Sequence, residues 1–221
     1  MSYLSRRVFP RCIFIITLLL LNPDAHATFI NHSTHEIHAK IVYYGGATAG
    51  LSENLQYIYA KTAPAAKGKL TALAADSERT LFYDFLPLTL GEIRGFKVRL
   101  NLYTVPGKAE YNASRKLLLK GADGVVFVAD SDPAHREENI ASIASLRSNL
   151  AAEGRDWKQL PLVVQLGHRD HPQAMPVEQM KRELGLTTQP TFSVIVLQGV
   201  GVFESLKAIT KLILTELKKG A

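Results

Sequence analysis

A phosphate-binding loop pattern between a predicted strand and a predicted helix constrains the fold of this chain more than any other feature. The pattern G-x-x-x-x-G-K-[ST] occupies residues 45–52, with Gly45 and Gly50 at its two glycine positions. Ser52 keeps the hydroxyl position, but Leu51 stands where the lysine belongs. That lysine supplies positive charge to phosphates, and the hydroxyl after it binds Mg²⁺. The spacing therefore predicts a phosphate loop that lacks its main cation.

Apolar strand-like runs alternate with amphipathic stretches from residue 28 onward, which is typical of an α/β sheet with helices on both faces. We predict a six-stranded, mostly parallel sheet, with strands at residues 37–44, 80–85, 97–105, 124–130, 160–166 and 192–196. The predicted helices are residues 52–62, 111–120, 134–153, 176–184 and 202–219. In such sheets ligands bind at the carboxyl ends of the strands, where the loop is expected to lie.

Length and composition fit one globular domain, residues 28–221, after a short N-terminal segment. The 221 residues are 47% hydrophobic and 21% charged, which suffices for a full core. The net charge of +6 comes from scattered Lys and Arg without a long basic run, so we expect no nucleic-acid partner. The only cysteine, Cys12, precedes the domain, which excludes a disulfide or a cysteine-based metal site within it.

Residues 1–27 have the pattern of a secretory signal peptide. Arginines precede an apolar run at residues 12–21, and the small-x-small sequence Ala25-His26-Ala27 follows. The run is shorter than the about 20 residues that cross a bilayer comfortably. Three alternatives stay open: a cleaved export signal, an uncleaved anchor that contacts the membrane, and a segment that is not translated because the start codon is misassigned.

Several segments resemble the MglA-type small GTPases of bacterial gliding motility and cell polarity, a Ras-like family. They include NLQYIY, RTLFYDFLP, LGEIRG and GVVFVADS, and the full set is residues 41–45, 54–59, 79–87, 90–95, 102–107, 113–117, 124–131, 199–203 and 214–220. The resemblance begins near residue 29 and extends to the C-terminus. It implies a Ras-like P-loop GTPase fold, GTP or GDP with Mg²⁺ as ligands, and a cytoplasmic location, which conflicts with export.

The resemblance also assigns roles to individual residues. Arg79 matches the arginine that serves as a catalytic finger, and Thr80 matches the switch threonine near Mg²⁺ and the γ-phosphate. Ser52 would be the other Mg²⁺ ligand on the protein. Asp170 matches the aspartate that reads guanine, and with the loop glycines it would form a vestigial nucleotide site.

Other parts of the family's nucleotide site are altered. The V-P-G-Q turn, whose glutamine orients the attacking water, ends in Lys108 here. The guanine motif N-K-x-D reads Gly-His-Arg-Asp at residues 167–170, and the later P-T-G segment reads Leu-Gln-Gly at residues 197–199. We therefore expect impaired or absent GTPase activity, and whether the chain binds a nucleotide stays open. Lys108 replacing the lost loop lysine is one hypothesis; His168 and His171 are expected to face solvent without a chemical role.

These observations lead to three functional hypotheses. The first is a nucleotide-defective pseudo-GTPase whose switch surface binds protein partners, for which the resemblance implies a roadblock-domain partner like MglB. The second is a slow but genuine GTP-hydrolysing polarity switch with an atypical loop. The third is an exported globular protein whose fold has lost its ligand.

Overall fold

A computed structural model of the protein describes residues 29–31, 33–73 and 83–220. Short turns and 3₁₀ segments connect the strands and helices of this part. In chain order these are β1 (Phe29–Asn31), β2 (Glu36–Gly45), α1 (Leu51–Lys61), β3 (Thr71–Leu73), β4 (Tyr83–Ile93), β5 (Phe96–Thr104), α2 (Asn112–Leu119), β6 (Gly124–Asp130), α3 (Arg136–Ala151), β7 (Leu162–Gly167), α4 (Val177–Glu183), β8 (Thr191–Ser193) and α5 (Val202–Gly220).

The described strands form one sheet in the order β3-β4-β5-β2-β6-β7-β8, with β1 added alongside the start of β2. The pairs from β5 through β2, β6 and β7 to β8 are parallel, whereas β3, β4 and β1 pair antiparallel. This arrangement confirms the predicted α/β fold of the Ras-like type. All six predicted strands are present, and β1 and β3 are additional.

The centre of the sheet is apolar on both faces because helices cover both. Every residue of β6 (GVVFVAD) is buried, as expected for a central parallel strand. On one face α5 packs against β6 so closely that a Cβ on Gly124 would lie 2.8 Å from Ile209 and Ile213. α3 packs against β2 and β6 and also contacts α2. The core thus holds the carboxyl ends of β2, β6 and β7 side by side.

Strand β4 extends well beyond its predicted end at residue 85. The sequence beyond it contains Pro87 and Gly91, which are unfavourable inside a strand. Pro87 is tolerated because β3 pairs only with residues 83–85, and beyond them Pro87 uses only its carbonyl on that side, which accepts a hydrogen bond from the N–H of Gly68 at 2.9 Å. Gly91, with a φ of 94°, lies in a bulge where the β4–β5 register shifts.

Residues 1–28 lie outside the described part, so the predicted signal or anchor at residues 1–27 stays a prediction. Among the helices in the described ranges, none is both long enough and apolar enough to cross a membrane.

Candidate functional site

The predicted phosphate loop lies at the carboxyl edge of the parallel strands, between β2 and α1. Helix α1 begins at Leu51, and its N-cap is Gly50 with a φ of 79°. Glycine adopts this left-handed conformation without steric cost. At the start of the loop, a Cβ on Gly45 would lie 2.5 Å from the carbonyl oxygen of Val128 on β6. Both glycines of the motif therefore have a structural role here.

The side chain in the lysine position is enclosed by apolar groups. Leu51 is 6% exposed and belongs to the hydrophobic core. Its Cδ2 atom would lie 3.2 Å from a Cβ on Gly45. Ser52 follows as the second residue of α1 and is half-buried. The motif thus offers a hydroxyl group but no ammonium group to a phosphate.

A carboxylate from α3 takes hydrogen bonds from the same loop. Glu138 Oε1 accepts one from the backbone N–H of Ala47 at 2.7 Å, and Oε2 accepts one from the Thr48 hydroxyl at 3.1 Å. A Cβ on Gly46 would lie 2.6 Å from the carboxyl carbon of Glu138. This contact was not predictable from the sequence, because Glu138 and Ala47 are 91 residues apart and no local pattern links them.

The turn after β5 also lies against the loop. The N–H of Val105 donates to the carbonyl of Tyr43 at 3.1 Å, which extends the β2–β5 pairing into the turn. A Cβ on Gly107 would overlap the backbone of Ala47. Residues 45–52 together with the turn 105–107 form a unit that we call the phosphate half of the site.

Arg115 of α2 joins this turn to the loop. Its Nε donates to the carbonyl of Pro106 at 2.7 Å, and its Nη2 donates to the carbonyl of Gly45 at 3.1 Å and also to that of Gly107. Arg115 is 2% exposed, and its guanidinium lies over the ring of Tyr44, 5.3 Å from the centroid. Hydrogen bonds from a charged donor are stronger than neutral ones, so this buried contact fixes the turn on the loop.

Lys108 follows the turn and is exposed. Its Nζ lies 3.9 Å from the carboxylate of Glu110, and the two side chains are 69% and 62% exposed. A surface pair of this kind contributes little to stability. To supply the positive charge that Leu51 lacks, the side chain of Lys108 would have to take a different position. This role of Lys108 stays a prediction.

A polar cavity of about 450 Å³ lies beside the loop at the ends of β6 and β7. We call it the base half of the site. Histidine and aspartate side chains dominate its lining, which consists of Thr48, Asp130, Asp132, His135, His168, Asp170, His171 and Pro172.

Asp130, the last residue of β6, holds two histidines of this cavity. Its carboxylate lies 2.8 Å from Nδ1 of His135 and 3.0 Å from Nδ1 of His168, and its side chain is 2% exposed. Burial raises the pKa of Asp130, but the N–H of Asp132 and the two histidines more than offset this and hold its pKa below the ordinary value. Asp130 is therefore an anion that orients both imidazole rings.

The segment in place of the guanine motif follows β7. Gly167 has no side chain to offer, and the guanidinium of Arg169 donates to the carbonyl of Met175 at 2.6 Å. Asp170 lines the cavity, and its role in reading guanine stays a prediction. The expectation that His168 and His171 simply face solvent is correct only in part. They are 50% and 34% exposed, but both line the cavity and each lies near an aspartate.

Comparison with known proteins decides the family. No protein-family model matches the chain. The chain is 56% identical over 193 residues to the mutual gliding-motility protein MglA of Myxococcus xanthus (strain DK1622), a match that covers 87% of this chain and 99% of that protein. The chain belongs to the MglA family of Ras-like small GTPases.

Arg79 and Thr80, to which the resemblance assigns roles, lie outside the described residues. The arginine finger and the threonine ligand of Mg²⁺ therefore stay predictions. The segment 197–199, in place of the family's later base-contacting residues, does not line the cavity. Within residues 29–31, 33–73 and 83–220, no group of three or more His, Cys, Asp or Glu side chains is arranged to hold a metal ion.

Proposed function

We propose that this MglA family member regulates motility or cell polarity through protein contacts, and that its nucleotide site is defective. The observation that carries the proposal is the carboxylate of Glu138, which accepts hydrogen bonds from Ala47 and Thr48 in a loop that has Leu51 in the lysine position. A nucleotide would have to bring its phosphates to a loop that has lost a cation and holds an anion.

Electrostatics gives the scale of this effect. Two unit charges of like sign 4 Å apart repel by about 4 kcal/mol at an effective dielectric constant near 20. Loss of a charged hydrogen bond to a phosphate removes about 1.5–3 kcal/mol more. Because about 1.4 kcal/mol changes an equilibrium constant tenfold, the two effects together weaken phosphate binding by several orders of magnitude. The residues of the phosphate half thus fit Mg²⁺ and a triphosphate poorly.

Catalysis is further impaired at the turn after β5. Lys108 stands where the family's glutamine orients the attacking water, and Arg115 holds the turn against the loop. No general-base or water-positioning side chain is offered by residues 105–107, which are Val, Pro and Gly. We therefore expect hydrolysis to be absent or very slow.

The surface that we expect to bind partners includes β4, β5 and the turn 105–107, which correspond to the switch regions of the family. In this surface the β4–β5 pairing is regular up to the bulge at Gly91. The family resemblance points to a roadblock-domain protein as the partner. Because Arg115 fixes the turn through groups of the chain itself, we expect the partner to bind independently of GTP.

A slow, genuine GTP switch is the second candidate. It is favoured by the retained frame of the loop, with Gly50 in the left-handed conformation, and by Asp170 at the base cavity. In that case the Glu138 carboxylate would have to leave the loop when a nucleotide binds.

The deciding experiment is release of bound nucleotide from the purified full chain by denaturation, followed by mass analysis. The Myxococcus MglA protein purified in parallel is the control. We expect no guanine nucleotide from this chain, and capture of a roadblock partner to be equal with and without GTP and Mg²⁺. Stoichiometric GTP or GDP, or capture that requires GTP, would support the switch instead.

A further inference from the structure

A groove with an apolar floor lies between the end of α1, strand β4 and helix α5, and we call it the α5 groove. Its volume is about 740 Å³. Leu88 and Leu206 form part of its floor and are 4% exposed. At its edge, Leu90 and Ile93 are 49% and 39% exposed. Large apolar side chains that remain exposed beside one another mark an interaction surface.

The charged side chains that line the α5 groove have one sign. They are four lysines, Lys61, Lys207, Lys211 and Lys218. Within the described ranges, no carboxylate lines the groove, and none of these lysines forms an ion pair with one. The two glutamates of α5 lie outside the lining. The groove is therefore complementary in charge to an acidic, partly apolar partner.

The lysines of α5 form one row along the groove. Lys207 and Lys211 are one helical turn apart, and Lys218 follows two turns later, so all three lie on the same side of α5. At 1.5 Å per residue, the row is about 16 Å long. A partner helix of three to four turns, with carboxylates along one side and apolar residues along the adjacent side, matches both the row and the floor.

The shape of the groove and the charge beside it favour a narrow protein segment over a lipid bilayer. Leu88 and Leu206 are recessed in the floor, whereas a flat surface contacts only side chains that project. The tip of the β4–β5 hairpin carries the exposed carboxylate of Glu92, which would be repelled by anionic headgroups. Glu92 lies outside the lining of the groove, so a segment that lies within the groove is not placed against it.

We propose that the α5 groove docks an acidic amphipathic helix of a partner protein. The apolar side of that helix would cover Leu88, Leu90 and Leu206, and its carboxylates would lie against Lys207 and Lys211. No residue of the phosphate loop or of the turn 105–107 lines the groove. The groove shares only strand β4 with the surface that we expect to bind a roadblock partner, so this docking site goes beyond the proposed function and does not depend on the nucleotide site.

The test is fluorescence anisotropy of a labelled helical peptide titrated with the full chain in the absence of nucleotide. The peptide has about 15 residues, with leucines along one side of its helix and glutamates along the adjacent side. A scrambled peptide of the same composition and a version with lysines in place of the glutamates are the controls. We expect the acidic amphipathic peptide to bind about tenfold more tightly than either control, and its binding to weaken at high salt because salt screens exposed charges.

Charge variants of α5 locate the binding site. Lys207→Gln with Lys211→Gln should weaken binding of the acidic peptide about fivefold, since one exposed ion pair contributes roughly two- to threefold in affinity. Lys116→Gln with Lys158→Gln removes the same charge from other exposed positions and should bind as the parent does. Lys207→Glu with Lys211→Glu reverses the charge of the row and should bind the lysine version of the peptide in preference to the acidic one.

Leu90→Ser tests the apolar contact. It changes an exposed side chain, so its thermal unfolding should match that of the parent, while its affinity for the acidic peptide should fall about fivefold.

The proposal is overturned if the parent does not bind the acidic peptide, if it binds the scrambled peptide equally well, or if the two glutamine variants have equal affinities. It is also overturned if Lys207→Gln with Lys211→Gln leaves peptide binding unchanged but abolishes sedimentation with phosphatidylglycerol vesicles, because the groove would then contact a membrane. Loss of self-association in this variant, again with unchanged peptide binding, would instead assign the groove to a second copy of the chain.

Discussion

The two halves of the nucleotide site differ in what fills them. The phosphate half is closed by the chain's own groups: Leu51 from the core, Glu138 from α3 and the turn held by Arg115. The base half remains a cavity of about 450 Å³ whose side chains pair among themselves, with Asp130 between two histidines. In our proposal the phosphates and Mg²⁺ provide most of the affinity for a nucleotide, so these contacts lie in the half that matters most for binding.

Arg115→Ala tests how the phosphate half is held together, and it should have the largest effect of the four variants. This change removes a buried guanidinium that holds three carbonyl groups, so we expect the free energy of unfolding to fall by about 3 kcal/mol. Chemical denaturation measures it, and Lys116→Ala on the exposed face of the same helix is the control, with a change within about 0.5 kcal/mol. Hydrogen exchange in the turn 105–107 should also become faster. Equal stability of the two variants would mean that the turn is held by other contacts.

Leu51→Lys tests whether the phosphate half fails at a single position. A lysine here enters an apolar site, so we expect about 2 kcal/mol of destabilisation. We also expect no GTP turnover, because Glu138 and Lys108 remain unchanged. Leu51→Met keeps the apolar character and should retain nearly the parent stability. Turnover in Leu51→Lys, measured by phosphate release, would contradict the pseudo-GTPase proposal.

Glu138→Gln tests the carboxylate inside the loop. Glutamine keeps the size of the side chain but removes the charge, so two charge-assisted hydrogen bonds become neutral and stability should fall by about 1 kcal/mol. The neighbouring Glu137→Gln, which is exposed, serves as the control. Pyrophosphate should raise the melting temperature of Glu138→Gln more than that of the parent. A parent that responds to pyrophosphate as strongly as the variant would show that the loop is not blocked by this group.

The base half should make the stability of the protein depend on pH in the acid range. This is the smallest of the four expected effects. The pKa of Asp130 is lower in the folded than in the unfolded protein, so its contribution to stability is present above the unfolded pKa and is lost as the pH falls through the folded pKa. Burial opposes the hydrogen bonds of this carboxylate, so its lowered pKa is the net result of opposing contributions. Asp130→Asn should flatten the acid side of the stability profile. If the stability of the parent and of Asp130→Asn falls equally with falling pH, Asp130 does not contribute to the pH dependence.

Much of the fold was predictable because its signals are local. Strand β6 matches its predicted bounds, residues 124–130, since a continuous apolar run flanked by polar residues is a strong signal. Helix α5 likewise starts at the predicted Val202. Strands β1 and β3 have three residues each, too few for a period to emerge from the sequence. The end of β4 was hidden by Pro87 and Gly91, whose tolerance depends on the pairing of neighbouring strands.

The candidate site was predictable only where a motif carries it. The loop frame followed from fixed spacing, and the role of Asp170 followed from the family resemblance. The contacts that close the phosphate half join residues far apart in sequence, 91 positions for Glu138 with Ala47 and 70 for Arg115 with Gly45. Glu138 is one of two neighbouring carboxylates in the first turn of α3, and the sequence gives both the appearance of an ordinary charged surface. Only the packing of α3 against β2 distinguishes it from its neighbour Glu137.

The attachment of Glu138 to a helix has a consequence for the equilibrium between this carboxylate and any free ligand of the loop. A tethered group competes for its donors at an effective concentration that is fixed by the fold, on the order of millimolar or far higher for a rigidly held group. A free phosphate compound competes only at its actual concentration. The state of the loop would then not follow the supply of nucleotide in its surroundings. A protein of this kind would signal through its amount and its location in the cell, whereas a GTPase signals through a cycle that is timed by GTP hydrolysis.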